Sequence, residues 1–456
     1  DSSPQFLLMM EKNILDKRPR FHFTPFQTIV FGFMAVIILG TILLSLPFST
    51  RAGEHTSFLD ALFTSTSATC VTGLVVHDTA THWTLFGEIV ILILIQIGGL
   101  GVVSIAGFLA ILSGRRIGLF ARNTMQEAIS AHKMGGVVRL IKFILTSSFL
   151  VEGIGAVLLA PTFIKDFGWA KGLWYAVFHS VSAFCNAGFD LMGIRGEFSS
   201  LTTYASNVAV NLVIMALIVV GGIGFLTWDD IRTNGIHFRK YRVQSKIIFS
   251  VTAILIFFPF LFFFFHEFSA LKTGDRILFS LFQSITPRTA GFNTADYSSL
   301  SQSGQAMSVF LMLIGGSPGS PAGGMKTTTI AVLVLSSIAV FRRKEDTECF
   351  GRRVMDENVR AAGAIFFLYL FLSLGAALAL SAIEEIPFLT SLFETTSALA
   401  TVGLSLSLTP TLSVASRIII IVLMFMGRVG GLTLIYATVA RRLGMAKLPQ
   451  ERVTVG

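Results

Sequence analysis

Long apolar stretches alternate with short polar segments along almost the entire chain. A helix of roughly 20 mainly apolar residues is long enough to cross the ~30 Å hydrocarbon core of a lipid bilayer. Stretches of about this length or more occur at 26–47, 84–112, 138–161, 205–228, 246–265, 305–341, 361–382 and 415–439. The pattern therefore predicts an all-α membrane protein with eight transmembrane helices.

The basic residues form clusters between pairs of these stretches. Lys and Arg gather at Lys12–Arg20, Arg115–Lys142, Arg232–Lys246, Arg342–Arg360 and Arg441–Arg452. Two predicted spans separate each cluster from the next, so a single topology puts every cluster on the same side. Because Lys and Arg are enriched in short cytoplasmic loops, we predict that both chain termini are cytoplasmic.

The segments on the other side share a phrase that occurs four times, at 62–74, 177–189, 281–292 and 392–404. The copies read LFTSTSATCVTGL, VFHSVSAFCNAGF, LFQSITPRTAGF and LFETTSALATVGL. A glycine-rich phrase follows each copy in the next span: IGGLG, VGGIG, IGGSPG and MGRVGG. Recurrence in register indicates internal repeats. It predicts fourfold pseudosymmetry around one pore, formed by tandem helix–pore loop–helix repeats at 21–114, 115–228, 229–341 and 342–456.

The glycine near the end of each copy suits a cation filter. These outer segments are too short for a further span, and irregular backbone at membrane depth must be covered by protein or line a water-filled cavity. Backbone carbonyls can replace the hydration shell of a cation, and glycine readily adopts the positive φ angles that such a backbone requires. We therefore predict a selectivity filter formed by Val71, Thr72, Gly73, Asn186, Ala187, Gly188, Thr289, Ala290, Gly291, Thr401, Val402 and Gly403.

The third repeat differs from the others in its second helix, where GGSPGSPAGGMKTTT (315–329) contains two prolines and several glycines. Such a sequence does not sustain a regular helix, so we predict an intramembrane loop on the inner side of the filter. Small residues there would open and close the path, and a static kink is the alternative interpretation. The predicted gate residues are Gly315, Gly316, Ser317, Pro318, Gly319, Ser320, Pro321, Ala322, Gly323, Gly324, Lys326 and Arg428.

Two basic residues of this predicted gate each have two interpretations. Lys326, at the inner end of the loop, is either an anchor of the gate or a lysine that extends its ammonium group to the membrane interface. Arg428 replaces a small residue of the glycine-rich phrase within an otherwise apolar span. It repels cations or holds the loop by hydrogen bonds, or else it is a structural partner for Glu394 or for helix carbonyls.

Acidic residues follow three of the four filter glycines at the predicted outer mouth. Asp78, Asp190 and Asp296 occupy these positions, whereas the fourth repeat has no matching acid. Carboxylates at a pore entrance raise the local concentration of cations. Loop acids that only interact with water fit the same pattern, so both interpretations stay open.

Composition narrows the function further. Hydrophobic residues make up 53% of the chain and charged residues 13%, compared with about 25% charged residues in soluble proteins. The net charge of +9 therefore indicates a lipid bilayer as the partner and not nucleic acid. Cys70, Cys185 and Cys349 lack a CxxC neighbour or a His partner at metal spacing. With no nucleophile, metal or paired-carboxylate pattern, we predict that the chain is not an enzyme.

At these residues the chain resembles the Trk/Ktr/HKT superfamily of potassium transporters, most closely the ion-translocating membrane subunits of bacterial Ktr and Trk systems. The resemblance rests on the four phrases with the filter glycines, on GGSPGSPAGGMKTTT and on MGRVGG with Arg428, and it covers almost the whole chain. It implies a pore like that of a potassium channel in the bacterial inner (plasma) membrane, with K⁺ as the transported ion at the filter residues and no organic cofactor in this chain. Each repeat has one glycine in place of the full phrase TVGYG, so we expect less strict selectivity for K⁺ over Na⁺.

The resemblance also implies partners. They are a second copy of the chain, giving a homodimer with one pore per subunit, and a cytosolic regulatory ring that binds nucleotides. Loops around 116–137, 229–245 and 342–360 would contact that ring, and Na⁺ is a candidate activating ion. Two mechanisms stay open, a gated channel-like K⁺ pathway and a secondary transporter that couples K⁺ to Na⁺ or H⁺. For proton coupling, Glu152 is the chief intramembrane acid.

Overall fold

The computed structural model describes residues 23–51, 56–113, 117–129 and 136–438. The basic clusters predicted at the two ends of the chain, and with them both termini, lie outside the described residues. Most of the described chain is helical. A small antiparallel hairpin, β1 (Glu348–Cys349) and β2 (Arg352–Arg353), is included in it.

The helices follow one order four times, and each round of that order is called a unit here. Unit 1 contains α1 (Pro25–Leu44), α2 (Phe58–Thr69), the short α3 (Thr79–His82), α4 (Leu85–Leu100) and α5 (Val102–Leu112), and α6 (Leu119–Ala128) leads to unit 2. Unit 2 contains α7 (Val137–Phe167), α8 (Trp169–Phe184), α9 (Val208–Gly222) and α10 (Phe225–Asn234).

Units 3 and 4 repeat this order. Unit 3 contains α11 (Val243–Phe262), which a π-helical turn at Phe263–Glu267 continues, then α12 (Thr273–Ile285), α13 (Gln302–Leu313) and α14 (Thr327–Phe341). Unit 4 contains α15 (Asp356–Glu384), α16 (Phe388–Leu399), α17 (Val414–Val429) and α18 (Gly431–Thr438). Short 3₁₀ helices occur at Met192–Arg195, Thr202–Tyr204, Phe238–Lys240, Tyr297–Ser299 and Thr409–Thr411.

The first helix of each unit is long and apolar enough to cross a bilayer, namely α1, α7, α11 with its π-helical end, and α15. Large apolar side chains on these helices are more than half exposed, for example Ile38, Phe257 and Phe371. Contiguous exposed apolar surface of this kind marks contact with another apolar medium, which here is lipid. The chain is therefore a multi-pass membrane protein.

The stretch predicted as the second span is broken in every unit, whereas the sequence predicts a break in the third unit alone. The axes of α4 and α5 differ by 94°, and those of α9 and α10 by 92°. Gly101, Gly224 and Gly430 lie at the breaks in units 1, 2 and 4, with φ angles of 86°, 89° and 87°. This region is open to glycine and strained for other residues. The predicted spans are therefore not continuous helices at 84–112, 205–228 and 415–439.

The units contact one another in a closed succession. The helix before the break in each unit packs against the short helix that follows the first helix of the next unit: α4 with α8, α9 with α12, and α13 with α16. In the same way, α17 of unit 4 packs against α2 of unit 1. The short helices α2, α8, α12 and α16 are thereby enclosed, and each contains one fully buried Phe from the repeated phrase: Phe63, Phe178, Phe282 and Phe393.

Candidate functional site

The segments that follow these four enclosed helices share one backbone pattern. Each ends with a glycine of positive φ, namely Gly73 (94°), Gly188 (70°), Gly291 (78°) and Gly403 (90°). The residue two positions earlier also has a positive φ, between 53° and 68°, at Val71, Asn186, Thr289 and Thr401. Non-glycine residues rarely adopt this conformation. Its presence in all four segments shows that the four loops meet one structural requirement.

The four glycines form a ring, called the glycine ring below, and residues 71–73, 186–188, 289–291 and 401–403 are its segments. Each glycine faces the carbonyl oxygen that precedes the next glycine: Gly73 faces Ala187, Gly188 faces Ala290, Gly291 faces Val402, and Gly403 faces Thr72. A Cβ atom added to Gly291 would lie 2.6 Å from the Val402 oxygen. The ring has no room for a side chain at these positions, and the structure brings the predicted filter residues together.

A Ser or Thr in each enclosed helix, or directly after it for Thr286, holds the adjoining ring segment. Its carbonyl oxygen accepts a hydrogen bond, at 2.8 to 3.0 Å, from the main-chain N–H of the residue before the ring glycine. The pairs are Ser67 with Thr72, Ser182 with Ala187, Thr286 with Ala290, and Ser397 with Val402. The Ser67 and Ser397 hydroxyls accept the glycine N–H at 3.1 Å. The Ser182 and Thr286 hydroxyls instead donate to the carbonyl after the glycine. The sequence analysis missed these residues, although a Ser or Thr four positions after each Phe was their signal.

A cavity of about 550 Å³ touches all four ring glycines. Its wall includes the three acids singled out in the sequence, Asp78, Asp190 and Asp296, together with Glu197, which the sequence analysis did not consider. The Asp78 carboxylate also accepts hydrogen bonds from the surrounding loops, including the Phe198 N–H at 3.0 Å. These acids therefore give the cavity a negative wall, and Asp78 also orders the loops that form it.

Asp190 is half-buried in this cavity, in the loop after α8. The main-chain N–H of Met192 donates to its carboxylate at 2.9 Å. Burial, and then the negative charge of nearby Asp78, raise the pKa of Asp190 to about 7. The charge of the cavity wall consequently changes near neutral pH.

Away from the cavity, glycines allow the helices before the breaks, α4, α9 and α17, to approach the enclosed helices closely. In three units, a Cβ atom added to a glycine would overlap the carbonyl oxygen of the last residue of the enclosed helix. The glycine and that residue are Gly98 and Thr69, Gly221 and Phe184, and Gly427 and Leu399. The corresponding glycine of unit 3, Gly315, meets Gly323 and Gly324 instead. In unit 3, residues of the interrupting loop thus occupy the position that a helix end occupies elsewhere.

This interruption, residues 314–326, is called the third-unit loop. It is non-helical, as the sequence predicts. The Gly315 N–H donates to the Met325 carbonyl at 2.8 Å, which closes its base. The loop also binds the break in unit 2, because the Ser317 N–H donates to Gly222 at 3.0 Å and the Phe225 N–H donates to the loop at 2.8 Å. The loop is held by defined hydrogen bonds to its own unit and to a neighbouring one.

Lys326 folds back on this loop. Its Nζ donates to the carbonyl oxygen of Ala322 at 2.7 Å and lies 3.4 Å from that of Gly323. A Cβ atom added to Gly323 would overlap the Thr401 side chain, so this part of the loop lies directly against a ring segment. The ammonium group is therefore bound to the loop itself, and its role as an anchor of a gate stays a prediction.

Arg428 joins three units. It donates hydrogen bonds to the carbonyl oxygens of Pro321 in the third-unit loop and of Gly98 at the end of α4. Arg428 thus binds a carbonyl of the loop and a helix carbonyl, as one part of each interpretation expects, whereas cation repulsion stays a prediction. Glu394 accepts a hydrogen bond from Thr409 instead. The expected pairing of Arg428 with Glu394 is wrong.

Fold and site together define a multi-pass membrane protein in which four non-helical segments meet in a ring of glycines and backbone carbonyls. The chain matches the TrkH family model, described as a cation transport protein, over residues 11–443. The chain belongs to this family, as its resemblance to the Trk/Ktr/HKT superfamily indicated.

Individual relatives match over nearly their full length. The chain is 41% identical to the potassium/sodium uptake protein NtpJ of Enterococcus hirae, over 97% of this chain and 100% of that protein. It is 39% identical to the Ktr system potassium uptake protein B of Bacillus subtilis, over 95% of this chain and 97% of that protein. The crystal structure of the potassium transporter TrkH from Vibrio parahaemolyticus has the same fold, with a TM-score of 0.72, 20% sequence identity, and coverage of 95% and 90%.

Proposed function

We propose that this chain is the ion-translocating subunit of a potassium uptake system, and that K⁺ crosses the membrane through the glycine ring. One observation carries the proposal, namely that each ring glycine faces a carbonyl oxygen of the next unit in a closed succession. Such oxygens can replace the hydration shell of a monovalent cation. The C-terminal ends of four helices come just before the ring and add partial negative charge. The names of the two relatives above support K⁺ as the substrate.

In this proposal the four units are structural repeats around one pore, with eight crossings of the membrane if each broken second stretch counts as one. The predicted filter residues bind K⁺ in the ring segments. The acidic cavity collects cations from the outer side. The third-unit loop, with Lys326 and Arg428, is the gate.

The proposed setting is the inner membrane of a bacterium. The chain would form a homodimer with one pore per subunit and would bind a cytosolic nucleotide-binding regulatory ring. The name Ktr system potassium uptake protein B, carried by a relative of 39% identity, describes one component of a larger system. Basic segments around 229–245 and 342–360 are the expected contacts for the regulatory ring, and Na⁺ is a candidate activator.

Coupled transport of K⁺ with Na⁺ or H⁺ is the second candidate function. Buried Glu152 of α7 favours it, because intramembrane acids often accompany proton coupling. Reversal potentials in proteoliposomes under opposed K⁺, Na⁺ and H⁺ gradients distinguish the two candidates. A gated pathway follows the K⁺ gradient alone, whereas a coupled transporter shifts its reversal potential with the second ion.

Replacing Gly403 with Ser tests the proposed filter. Its Cβ would collide with the Thr72 carbonyl oxygen, and its φ angle of 90° strains any side chain. With ~1–3 kcal/mol of strain stored at the ring, we expect the K⁺-to-Na⁺ uptake ratio to fall by roughly tenfold. Gly375→Ser is the control, because nothing lies within 4 Å of its Cβ position. An unchanged ion ratio in well-expressed Gly403→Ser protein would contradict the proposed filter.

A further inference from the structure

One hydrogen bond between the enclosed helix and the first helix of the unit can be compared across three units. In units 1, 2 and 4, a hydroxyl of the enclosed helix donates to the first helix of the unit: Ser65 to Ile37 at 2.7 Å, Ser180 to Glu152 at 2.6 Å, and Thr395 to Ser373 at 3.2 Å. Ser65, Ser180 and Thr395 each lie two positions after the Phe of the repeated phrase. Ile37, Glu152 and Ser373 are therefore equivalent residues. One of these three is an acid.

Glu152 contacts the residue that precedes its ring segment. Gln96 of α4 donates its amide nitrogen to both carboxyl oxygens, at 3.0 and 3.1 Å, and the Cys185 thiol lies 3.8 Å from one of them. Glu152 is 4% exposed. Burial favours the neutral form of a carboxyl group, whereas a nearby cation favours the charged form. Within the described part of the chain, no basic side chain forms an ion pair with Glu152.

Unit 3 has a positive charge directly before its own ring segment, at the position that Cys185 occupies in unit 2. Arg288 directly precedes the left-handed residue Thr289, as Cys185 precedes Asn186. Its guanidinium is 6% exposed and reaches Thr252 of the first helix of its unit at 3.4 Å. The Nε atom has no hydrogen-bond partner. No acidic side chain among residues 23–51, 56–113, 117–129 and 136–438 forms an ion pair with Arg288.

The two charges lie behind neighbouring segments of the ring. Gly188 faces Ala290 and Gly291, and the Asn186 side chain approaches the Thr289 hydroxyl at 3.5 Å. Buried charges are normally paired, because leaving water is costly for them. Among the described residues neither group has an ion-pair partner: Glu152 contacts Cys185, which precedes one ring segment, and Arg288 itself precedes the next. A cation in the ring would compensate the carboxylate of Glu152 and would be opposed by the guanidinium of Arg288.

We propose that Glu152 and Arg288 are specificity-determining charges that set the affinity of the ring for its monovalent cation, with Glu152 raising it and Arg288 lowering it. The inference rests on the proposed filter. The proposed pore is electrostatically asymmetric although its backbone is alike in all four units. The residues equivalent to Glu152 in units 1 and 4, Ile37 and Ser373, are uncharged. Glu152 strengthens capture, and Arg288 limits how firmly the captured ion is held.

The test measures the KM for K⁺ uptake in cells that lack other K⁺ uptake systems, using the full chain with E152Q, R288Q and both changes together. For an assumed separation on the order of 10 Å and an effective dielectric constant near 20, one unit charge changes cation affinity on the order of tenfold. We expect E152Q to raise KM and R288Q to lower it by about that factor. The double variant should return close to the wild-type KM, because the two effects oppose each other.

Ser373→Ala is the matched control, because it changes the equivalent uncharged position in unit 4, and its KM should stay within about twofold of wild type. A second measurement is the K⁺-dependent rise in melting temperature of the purified protein, which should shrink in E152Q. KM changes in the same direction for both single variants, or a KM in E152Q equal to wild type, would overturn the inference. If R288Q does not fold, E152Q decides alone. A normal KM in E152Q beside a lowered ion ratio in Gly403→Ser rejects this inference and leaves the proposed filter intact.

Discussion

The glycine ring and the neighbouring layer of helix breaks use the same four units in different ways. In the ring, every unit has the same pattern of positive φ angles, although the side chains differ among Val71, Asn186, Thr289 and Thr401. In the break layer, units 1, 2 and 4 turn at a single glycine, whereas unit 3 uses a loop of prolines and glycines. Equal backbone is expected where an ion needs equivalent ligands. Unequal backbone gives one unit a part that the others lack.

We expect the largest effect from a change that prevents the close approach of a helix before a break to an enclosed helix, because the ring and the break layer both depend on that packing. A Cβ atom added to Gly427 would overlap the Leu399 carbonyl oxygen at the end of α16. We expect Gly427→Ala to destabilise the purified protein by ~1–3 kcal/mol, the usual consequence of overpacking. Thermal unfolding in detergent measures the change. Gly363→Ala in α15 is the control, because its Cβ meets nothing within 4 Å and alanine favours the helix. Equal melting temperatures for the two variants would show that the close approach is not required.

Shortening the third-unit loop should make the break layer more uniform. Deletion of residues 317–323 removes the loop carbonyls that accept hydrogen bonds from Lys326 and Arg428. We expect faster K⁺ uptake, on the order of tenfold if the loop contributes ~1.4 kcal/mol to the barrier. The initial rate of K⁺ uptake, normalised to protein level, is the measurement. Wild-type uptake at normal expression would support the static-kink interpretation.

The sequence predicted the ring better than the break layer, and the reason is physical. A ring segment is set by local backbone geometry, and a glycine at a fixed distance from a Phe records that geometry directly. The breaks at Gly101, Gly224 and Gly430 were missed because glycines in membrane helices usually allow close packing. Their signal was a second glycine three residues after the packing glycine in units 1, 2 and 4. Unit 3 has Pro318 at that spacing.

Partners that are distant in sequence could not be predicted. Arg428 and the Pro321 carbonyl are 107 residues apart, and nothing in either local phrase specifies the other. The sequence left Glu394 and helix carbonyls open as structural partners and could not single out one carbonyl. In the structure, the carbonyl of Pro321 in the third-unit loop and that of Gly98 in the last turn of α4 fill that role.

Arg428 sharpens the comparison because it connects the loop of unit 3 to α4 of unit 1. Removing its side chain should free the loop, and hydrogen bonds to a charged group contribute ~1.5–3 kcal/mol each. Part of that energy is recovered from water, so we expect Arg428→Ala to change K⁺ conductance by roughly fivefold. Single-channel or liposome flux recordings measure it, with the exposed Arg360→Ala as the control. A protein that fails to assemble would point to a structural role.

The smallest expected effect concerns the acidic cavity, which only three units supply with an aspartate. Burial and nearby Asp78 raise the pKa of Asp190 to about 7, so this carboxyl group is neutral below that pH and charged above it. A more negative wall concentrates cations, and K⁺ uptake at limiting K⁺ should therefore rise about twofold between pH 6 and pH 8. Asp190→Asn should flatten this step. Asp296→Asn should keep it, although that residue lines the same cavity. A pH step of wild-type size in Asp190→Asn would assign it to another group and would leave the cavity acids with their role in ordering the loops.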